Sequence, residues 1–348
     1  MFPSDCFSFS PVMPGDKPLV DRYMRRYGEG SCQHSFAALY TLSEKYGSMI
    51  CERDGFLFTL RQGLCSEGRR VYLAPMGAGD RKSAYAAILS DAAAHGCRAV
   101  FDTVTGEQAN FLRRNFPGRF RFTELRDYAE YIYLTDTLAK MKGGKFADKR
   151  NKINKLLRTY GDRIEVRPLS AESSPAILSF EEKWLADNAA GHDRAALELE
   201  LREIQKQLVA FDLLDLRGIS VYCDGEMLAF AYGVALNESC FDGLIAKASY
   251  GVPNLYKLLY WKMSCLSAAP FPYFNWEEDV GVAGLRQTKS EYGPALLMRK
   301  YLAEEADAAC ETAETETVSV ISAIPLGRND ALFPGSWEEY NNIWKAEE

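Results

Sequence analysis

The chain has 348 residues, enough for two domains, and its 47% hydrophobic and 26% charged residues are ordinary for a globular protein. No stretch approaches the roughly 18 consecutive apolar residues of a membrane-spanning helix, and the first residues lack the cationic start and apolar run of a signal peptide. The nine cysteines are odd in number and lack metal-type spacing, which argues against a disulfide framework and indicates a reducing cytoplasm. The net charge of −7 argues against bulk nucleic-acid binding.

A first α/β unit is predicted over residues 1–134, beginning with an N-terminal arm at 1–29. Asp54-Gly55 separates two strand-like runs and is a two-residue hairpin signal. In chain order we expect a helix at 31–47, strands at 48–53, 56–61 and 69–73, a glycine turn at 77–79, a helix ending at 95, a strand at 98–102, a helix at 106–116, and strands at 120–124 and 128–134.

A second unit is predicted over residues 135–302 because the order of elements repeats. Asp224-Gly225 gives another hairpin signal in the same relative place. We expect helices at 145–160, 175–188 and 194–214, strands at 163–168, 218–223, 227–234 and 239–246, a helix at 254–266, and a strand at 271–274. The repeated order predicts two tandem units of one α/β fold.

Residues 303–348 are expected to form an acidic linker and a C-terminal tail. Residues 303–317 are acidic, rich in alanine and without aromatic residues, which is typical of a solvated segment. Residues 318–325 have the composition of a strand, and four aromatic or aliphatic residues between 337 and 344 have the spacing of an amphipathic helix.

Residue types that suit a polar cleft cluster between residues 275 and 294. The predicted strand ends in two acids, and two glycines then open a short helix that carries two cations on one face. The residues are Asn275, Glu277, Asp279, Gly281, Gly284, Arg286, Lys289 and Tyr292. A carboxylate can take the proton of an incoming amine, although Asp279 alone also suits an N-cap. The two cations can neutralise a phosphate or an oxyanion, whereas exposed helical cations are usually only solvated.

This spacing resembles the signature of the DUF2156 family, which is related to the C-terminal domain of phosphatidylglycerol lysyltransferases. Residues 145–155 resemble the basic helix of that family, and weaker similarity extends over about residues 30–302. The resemblance implies two tandem GNAT-like acyltransferase units, each a mixed, mostly antiparallel sheet flanked by helices. It also implies a relationship to the Fem aminoacyl transferases, which use charged tRNA as donor. The working cleft is then expected in the second unit.

The resemblance implies roles for individual residues. Glu277, Asp279 and Arg286 are expected to be catalytic, and a larger set is expected to bind substrate or phosphate: Asn275, Lys289, Tyr292, Lys247, Glu200, Lys149, Arg150 and Lys152. Lys247 lies at a bend where backbone N–H groups would hold the donor, with Ser249 where the family has Asn. Glu200 is expected either to reach the cleft or to be an exposed helical acid. The chain lacks the glycine-rich pyrophosphate loop of coenzyme-A-dependent acetyltransferases in its second unit.

A basic segment contrasts with the acidic remainder of the chain. Between residues 140 and 167 there are ten Lys or Arg and three acids, and Lys149, Arg150 and Lys152 crowd one helix. Such a run is usually a solvated face, but here few acids neutralise it. It predicts binding of tRNA or of another phosphate-bearing partner, and an anionic lipid headgroup leaves peripheral membrane contact open.

The preferred hypothesis is an acyl or aminoacyl transferase that moves an activated carboxyl group onto an amine or a hydroxyl. The donor is expected to be aminoacyl-tRNA or acyl-CoA, without a tightly bound cofactor. No metal is expected, because His34, His95 and His192 are isolated in the sequence. Two alternatives remain: a coenzyme-A-dependent N-acyltransferase, and a non-catalytic ligand-binding protein with a GNAT-like fold. The sequence leaves the oligomeric state open.

Overall fold

The computed structural model of the chain describes residues 7–188 and 194–306. The expectations for residues 307–348 and for His192 lie outside these described residues. Two compact units are formed, the first by residues up to Tyr131 with Glu277–Lys289 and the described residues from Leu296 on, and the second by Ile132–Trp276 with Ser290–Ala295. No helix within the described ranges is both long and apolar enough to cross a bilayer.

The first half of the chain alternates strands and helices much as the apolar periodicity predicts. Its elements are β1 (Ser10–Pro11), α1 (Lys17–Tyr27), α2 (Phe36–Thr41), α3 (Ser43–Tyr46), β2 (Ser48–Arg53), β3 (Phe56–Arg61), β4 (Arg69–Tyr72), β5 (Met76–Gly77), α4 (Arg81–Ala94), β6 (Arg98–Thr105), α5 (Gly106–Asn115) and β7 (Phe120–Glu124). The helix expected at 31–47 is broken into a 3-10 turn (Cys32–His34) and two short helices, because Ser35 is extended and begins a new helix as its N-cap.

The second half begins at the strand β8 and returns to the first sheet at its end. Its elements are β8 (Glu130–Leu134), α6 (Thr135–Lys140), α7 (Ala147–Tyr160), β9 (Ile164–Pro168), α8 (Ser174–Asn188), α9 (Arg194–Val209), α10 (Phe211–Leu214), β10 (Arg217–Cys223), β11 (Glu226–Ala235), β12 (Cys240–Ala248), α11 (Leu255–Cys265), β13 (Tyr273–Asn275), α12 (Ala283–Tyr292), β14 (Leu296–Met298) and β15 (Lys300–Glu305).

Each unit contains a mixed, mostly antiparallel sheet. In the first, the order is β1-β2-β3-β4-β6-β15-β7, with β5 beside β3, and only β4 and β6 are parallel. In the second, the order from β8 is β8-β13-β12-β11-β10-β9, and only β12 and β13 are parallel. Helices flank both sheets, so the predicted fold class is confirmed.

Local chemistry explains the hairpins. Asp54 and Gly55 both have positive φ (51° and 77°), as do Asp224 and Gly225 (51° and 83°). A two-residue turn that matches strand twist needs positive φ at both positions, which Asp-Gly tolerates. Both predicted hairpins therefore form, as β2–β3 and β10–β11.

The core of the first unit lies between its sheet and the helices α4 and α5. Phe58, Tyr72 and Phe101 of the sheet are almost fully buried together with Tyr85 and Ile88 of α4. Burial of large aromatic and aliphatic side chains is the main stabilising contribution here. The resulting rigid sheet holds the polar residues at its edge.

Two boundaries differ from the sequence-derived ones. Residues 277–289 group with the first unit, although the family pattern placed the cleft in the second. The physical reason is that their polar side chains bond to groups of the first unit, as described below. Residues 303–305, expected in the acidic linker, are the end of β15, which pairs with β6 and β7.

Candidate functional site

The segment between β13 and α12 has an unusual backbone. Glu277 and Val280 have positive φ (54° and 45°), and Gly281 follows with 80°. A β-branched residue such as Val280 rarely adopts this conformation, and such strain concentrates at functional sites. Backbone hydrogen bonds hold it in place, from Val280 N–H to Asp127 O at 2.9 Å and from Tyr131 N–H to Glu277 O at 3.1 Å.

Asp279 is the fully buried centre of this segment. Its carboxylate accepts hydrogen bonds from Arg286 (2.9 and 2.7 Å), Tyr131 Oη (2.7 Å), Arg126 Nη1 (3.1 Å) and Gly281 N–H (3.0 Å). Burial alone would raise the pKa of Asp279, but these donors outweigh it and hold that pKa well below its ordinary value. The carboxylate is therefore ionised and saturated, which suits a positioning residue rather than a general base.

Arg286 is fixed by this carboxylate and still reaches solvent. Its Nη2 also donates to Asp127 Oδ1 at 2.6 Å, and its side chain is 35% exposed. Hydrogen bonds to Asp279 and Asp127 raise the pKa of Arg286, so the guanidinium stays charged. Its Nη1 has no hydrogen-bond partner within the described part of the chain, so its N–H groups can donate to an anionic ligand atom.

Lys289 and Glu278 lie deeper in the same unit. Lys289 is only 7% exposed, and its Nζ donates to the main-chain oxygen of Glu278. Burial lowers the pKa of Lys289, although the charges of Glu277, Glu278 and Asp279 oppose this. Burial and the charge of Glu130 raise the pKa of Glu278. A lysine whose pKa is lowered near a carboxyl group whose pKa is raised is a common feature of acid–base sites.

A chain of side chains holds the Glu278 carboxylate. Gln33 Nε2 donates to Glu278 Oε1 at 2.6 Å, and Arg61 Nη2 donates to Gln33 Oε1 at 2.5 Å. Arg61 is almost fully buried and its Nη1 donates to Asp102 Oδ2 at 2.5 Å. The amide of Gln33 is therefore oriented with its NH₂ group towards Glu278.

Beneath this chain lies a fully buried ion pair. Lys300 Nζ is 2.6 Å from Glu130 Oε1, and neither side chain is exposed. Glu130 also accepts from Ser31 Oγ (2.9 Å) and from the Cys32 N–H (3.2 Å). The Cys32 Sγ and carboxylate oxygens of Glu130 and Glu278 lie within 4.8 Å of one another, close enough to share a metal ion. Lys300 already supplies the positive charge beside Glu130.

None of Glu278, Gln33, Glu130 and Lys300 was predicted from the sequence. Glu278 lies between the two acids of the signature, Glu277 and Asp279. In a regular strand its side chain would point to the opposite face of the sheet from theirs. Its backbone neighbour Glu277 has positive φ, which breaks that alternation. The three consecutive acids at 277–279 were the available signal.

Lys247 and Glu200 meet in the second unit, as an internal ion pair. Lys247 Nζ lies 2.6 Å from Glu200 Oε2 and 3.5 Å from Glu181 Oε1, and it is 3.9 Å from the ring centroid of Trp184. Lys247 is 7% exposed and Glu181 is 1% exposed. With two carboxylates and an aromatic face around it, this ammonium is already neutralised, so the predicted phosphate contact gains no support.

Asn275 and Tyr292 also lie in the second unit. Asn275 is fully buried in β13 and Tyr292 is 2% exposed. Lys149 Nζ is 4.7 Å from the centroid of the Tyr292 ring and 3.4 Å from the Glu291 main-chain oxygen. The ammonium of Lys149 is therefore packed against α12 rather than displayed to solvent.

Two further cations of the basic helix α7 have local roles. Arg150 Nη1 donates to the main-chain oxygens of Met141, the C-cap of α6, and of Gly143 in the loop that follows. Lys152 pairs with Asp148 at 2.8 Å one helical turn away. Lys152 is itself exposed, as are Lys155 and Arg158 further along the helix. A nearby lysine in α11, Lys257, has its pKa lowered by burial and by the charge of Lys152.

Two mixed sheets flanked by helices, with a polar acid–lysine site on the first, define a tandem GNAT-like protein. The family model described as "Phosphatidylglycerol lysyltransferase, C-terminal" matches residues 24–304, and the chain belongs to this family. The family resemblance predicted from the signature is therefore confirmed.

Solved structures give the same fold. A conserved protein of unknown function from Bacteroides thetaiotaomicron is 28% identical with a TM-score of 0.81, covering 86% of this chain and 100% of that one. L-PGS from Bacillus licheniformis is 18% identical with a TM-score of 0.59, covering 83% and 92%. FemX is 11% identical with a TM-score of 0.58, covering 86% and 97%. No match is found among curated protein sequences.

Proposed function

We propose that the protein is an aminoacyl transferase that moves an amino acid from charged tRNA onto an amine or hydroxyl acceptor. The observation that carries the proposal is the arrangement of Arg286, locked by buried Asp279, in the same compact segment as buried Lys289. Family membership makes lysine and phosphatidylglycerol the first donor and acceptor to test.

Transfer of an activated carboxyl group passes through a tetrahedral intermediate that carries an oxyanion. Preorganised cationic donors aimed at that oxygen lower the barrier because they need no reorganisation during reaction. Arg286 meets this description, since Asp279 fixes its guanidinium and leaves Nη1 available. Glu277, which is partly buried in the same segment, would hold an incoming ammonium or hydroxyl group.

Contacts in the first unit disfavour coenzyme A as donor there. The glycine turn before α4 ends in Asp80, whose carboxylate accepts the N–H groups of Lys82 (3.0 Å) and Ser83 (3.2 Å). A pyrophosphate would need these N–H groups and would meet the negative charge of Asp80. The second unit lacks the glycine-rich loop in its sequence. These two features favour aminoacyl-tRNA over acyl-CoA.

The site of tRNA contact in this proposal is the exposed side of α7. Lys155 and Arg158 are exposed there, while Lys149 and Arg150 are bound within the second unit. An anionic lipid acceptor would add peripheral contact with a membrane surface.

The seven described cysteines are free thiols, in keeping with the reducing cytoplasm expected from the sequence.

The test is transfer of radiolabelled lysine from lysyl-tRNA to vesicles that contain phosphatidylglycerol, with lipid-bound label as the readout. We expect activity in the wild type and a loss of about 10²-fold or more in Arg286→Ala, the scale of a lost oxyanion donor. Asp127→Asn is the matched control, because it removes only the exposed partner of Arg286.

Other outcomes separate the alternatives. Thermal stabilisation by acetyl-CoA without stabilisation by charged tRNA would favour the coenzyme-A-dependent enzyme. Binding of lysyl-tRNA that weakens in Arg286→Ala, with no transfer to any lipid or amine acceptor, would favour the binding protein.

A further inference from the structure

Glu278 has charged or polar neighbours from every element packed around it. Gln33 and Cys32 approach from the turn before α2, with Gln33 Nε2 at 2.6 Å and Cys32 Sγ at 3.8 Å from Glu278 Oε1. Lys289, on α12, donates to the Glu278 main-chain oxygen and is also influenced by the charges of Glu277 and Asp279. The Glu130–Lys300 pair lies on β8 and β15. Glu278 is enclosed by these groups and is still partly exposed.

The two titratable groups of this pocket are biased towards their uncharged forms. Burial and Glu130 raise the pKa of Glu278, while burial lowers the pKa of Lys289. The ionised pair, carboxylate and ammonium, is therefore closer in free energy to the neutral pair, carboxylic acid and amine, than it is in water. A site of this kind can accept one proton and release another at little cost.

We propose that Glu278 accepts the proton of the attacking nucleophile and that Lys289 donates a proton to the leaving oxygen. This assignment rests on the transferase activity proposed above and adds the acid–base residues to it. Neither residue has been placed in this role by the sequence pattern, in which Lys289 was a phosphate ligand and Glu278 had no role.

The step balances in atoms and charge. The acceptor N–H or O–H loses its proton to Glu278 as its lone pair forms a bond to the acyl carbon. The bond between that carbon and the donor ester oxygen breaks, and the oxygen takes a proton from the Lys289 ammonium. Glu278 is then a carboxylic acid and Lys289 an amine, and return of the proton from the acid to the amine restores the starting pair.

Gln33 is a positioning residue in this scheme. Arg61 and Asp102 fix its amide, so its NH₂ group always faces the Glu278 carboxylate. This hydrogen bond favours the ionised form and keeps the pKa of Glu278 from rising further. Its removal should raise the pKa of Glu278 without touching substrate.

The first experiment measures titration without activity. Infrared spectra of the protein carrying ¹³C-labelled glutamate, taken from pH 4 to 9, report protonated carboxylic acids directly. Burial also raises the pKa of Glu29 and of Glu181, so the readout is a difference between proteins. We expect a carboxylic acid that titrates well above the ordinary glutamate value of 4.5 in the wild type and is missing in Glu278→Gln, while the other raised acids remain. Lys289→Met should shift it to higher pH, because the neighbouring cation is removed, and Gln33→Met should do the same. Glu291→Gln, an exposed acid on α12, is the matched control.

The second experiment follows the lysine-transfer assay against pH. In the wild type the rate should fall on the acid side with the pKa measured by infrared. Gln33→Met should move this limb to higher pH, a shift that a purely structural role of Glu278 does not produce. Glu278→Gln should lower kcat by about 10²–10⁴-fold and abolish the limb, with little change in KM.

The outcomes distinguish the two proposals. Active enzyme whose acid limb is unchanged in Gln33→Met, and whose rate survives in folded Glu278→Gln, would overturn the acid–base assignment and leave the transferase intact. A raised glutamate titration that Glu278→Gln removes, without any transfer activity, would support the Glu278–Lys289 pair while the proposed function fails. If Glu278→Gln keeps every raised glutamate titration of the wild type, the assignment is wrong whatever the activity.

Discussion

Arg286 donates two parallel hydrogen bonds to Asp279, from Nε to Oδ2 at 2.9 Å and from Nη2 to Oδ1 at 2.7 Å. Asp279 is completely buried, whereas the Arg286 side chain is about one-third exposed. The bidentate geometry fixes the plane of the guanidinium, which a single contact would leave free to rotate. In the proposed function, the Asp279 carboxylate orients the Arg286 guanidinium. Removal of either residue should therefore cause a similar loss of transfer activity.

Asp279→Asn should destabilise the protein and abolish transfer. The amide cannot replace the ionised acceptor of four donors, and Arg286 and Arg126 lose their counter-charge. We expect the free energy of unfolding at pH 7 to fall by about 3 kcal/mol, the lower end for breaking a buried ion pair. Urea unfolding of the wild type and the variant measures this difference in the free energy of unfolding.

The pH dependence gives this prediction a second readout. The pKa of Asp279 is depressed on folding, so its stabilisation is fully present above the ordinary value of 3.8 and is lost as pH falls further. The difference between wild type and Asp279→Asn should stay constant from pH 8 to about 5 and shrink below 4. Asp127→Asn, with an exposed carboxylate, should change stability by less than about 1 kcal/mol.

His34 should make the first unit sensitive to mild acid. Its Nε2 is 3.1 Å from the Ala74 main-chain oxygen and its ring is 2% exposed. Burial, together with the charge of Lys300, lowers the pKa of His34 from 6.5 to about 4. The unfolded chain binds a proton at higher pH than the folded one, so stability falls as pH decreases from about 6.5 to 4.

His34→Gln tests this, because the glutamine amide can keep a donor near Ala74 O without titrating. Denaturant midpoints measured between pH 7 and 4 should decline less steeply in the variant. His95→Gln, a histidine that is 40% exposed, is the control and should follow the wild type. Equal slopes in all three proteins would show that other groups set the acid sensitivity.

The sequence pattern predicts the elements well because their causes are local. Asp54-Gly55 and Asp224-Gly225 adopt the positive φ that their turns need, whatever the rest of the chain does. Strands and helices with a clear apolar period form within a few residues of their expected bounds. Two expected helices are exceptions: the helix at 31–47 breaks at Ser35 and again at Leu42, and the long helix at 194–214 breaks at Ala210.

The site was less predictable because its causes are long-range. The carboxylate of Glu278 is held by Gln33, and the charge of Glu130 helps to raise its pKa. Both residues are more than 140 positions away in the sequence. Lys247 matches a family position, but the acids Glu181 and Glu200 that neutralise it come from separate helices. Only the fold brings such groups together, and the spacing of residues along the chain does not reveal these contacts.

Lys247 should be a stability residue. Lys247→Met leaves the carboxylates of Glu181 and Glu200 without their cation, and Glu181 is 1% exposed. We expect a loss of about 2–3 kcal/mol, because an unpaired buried charge costs more than the pair contributes. Glu200→Gln should cost only about 1 kcal/mol, since Glu200 is one-third exposed and Lys247 keeps its other partner.

A double-mutant cycle of Lys247→Met with Glu200→Gln measures their coupling, which should be about 1 kcal/mol. The affinity of folded Lys247→Met for tRNA should equal that of the wild type. A tenfold loss of affinity at unchanged stability would restore the phosphate-binding role that the family pattern suggested for this lysine.

RNA binding should depend on exposed cations of α7 and not on Arg150, whose guanidinium is bonded within the protein. Lys155 and Arg158 are exposed, whereas Arg150 is bound to the Met141 and Gly143 oxygens. Each phosphate contact that is lost lowers the slope of log K against log salt by about 0.7–0.9. Lys155→Gln with Arg158→Gln should therefore weaken tRNA binding and reduce this slope by roughly 1.4–1.8.

Arg150→Gln is the matched contrast on the same helix. It should lower the free energy of unfolding, because the carbonyl oxygens of Met141 and Gly143 lose their donor. It should leave the salt slope of the folded protein unchanged. Fluorescence anisotropy of labelled tRNA at several salt concentrations gives both slopes. If Arg150→Gln changes the slope while the exposed pair does not, the RNA contacts another face of the helix.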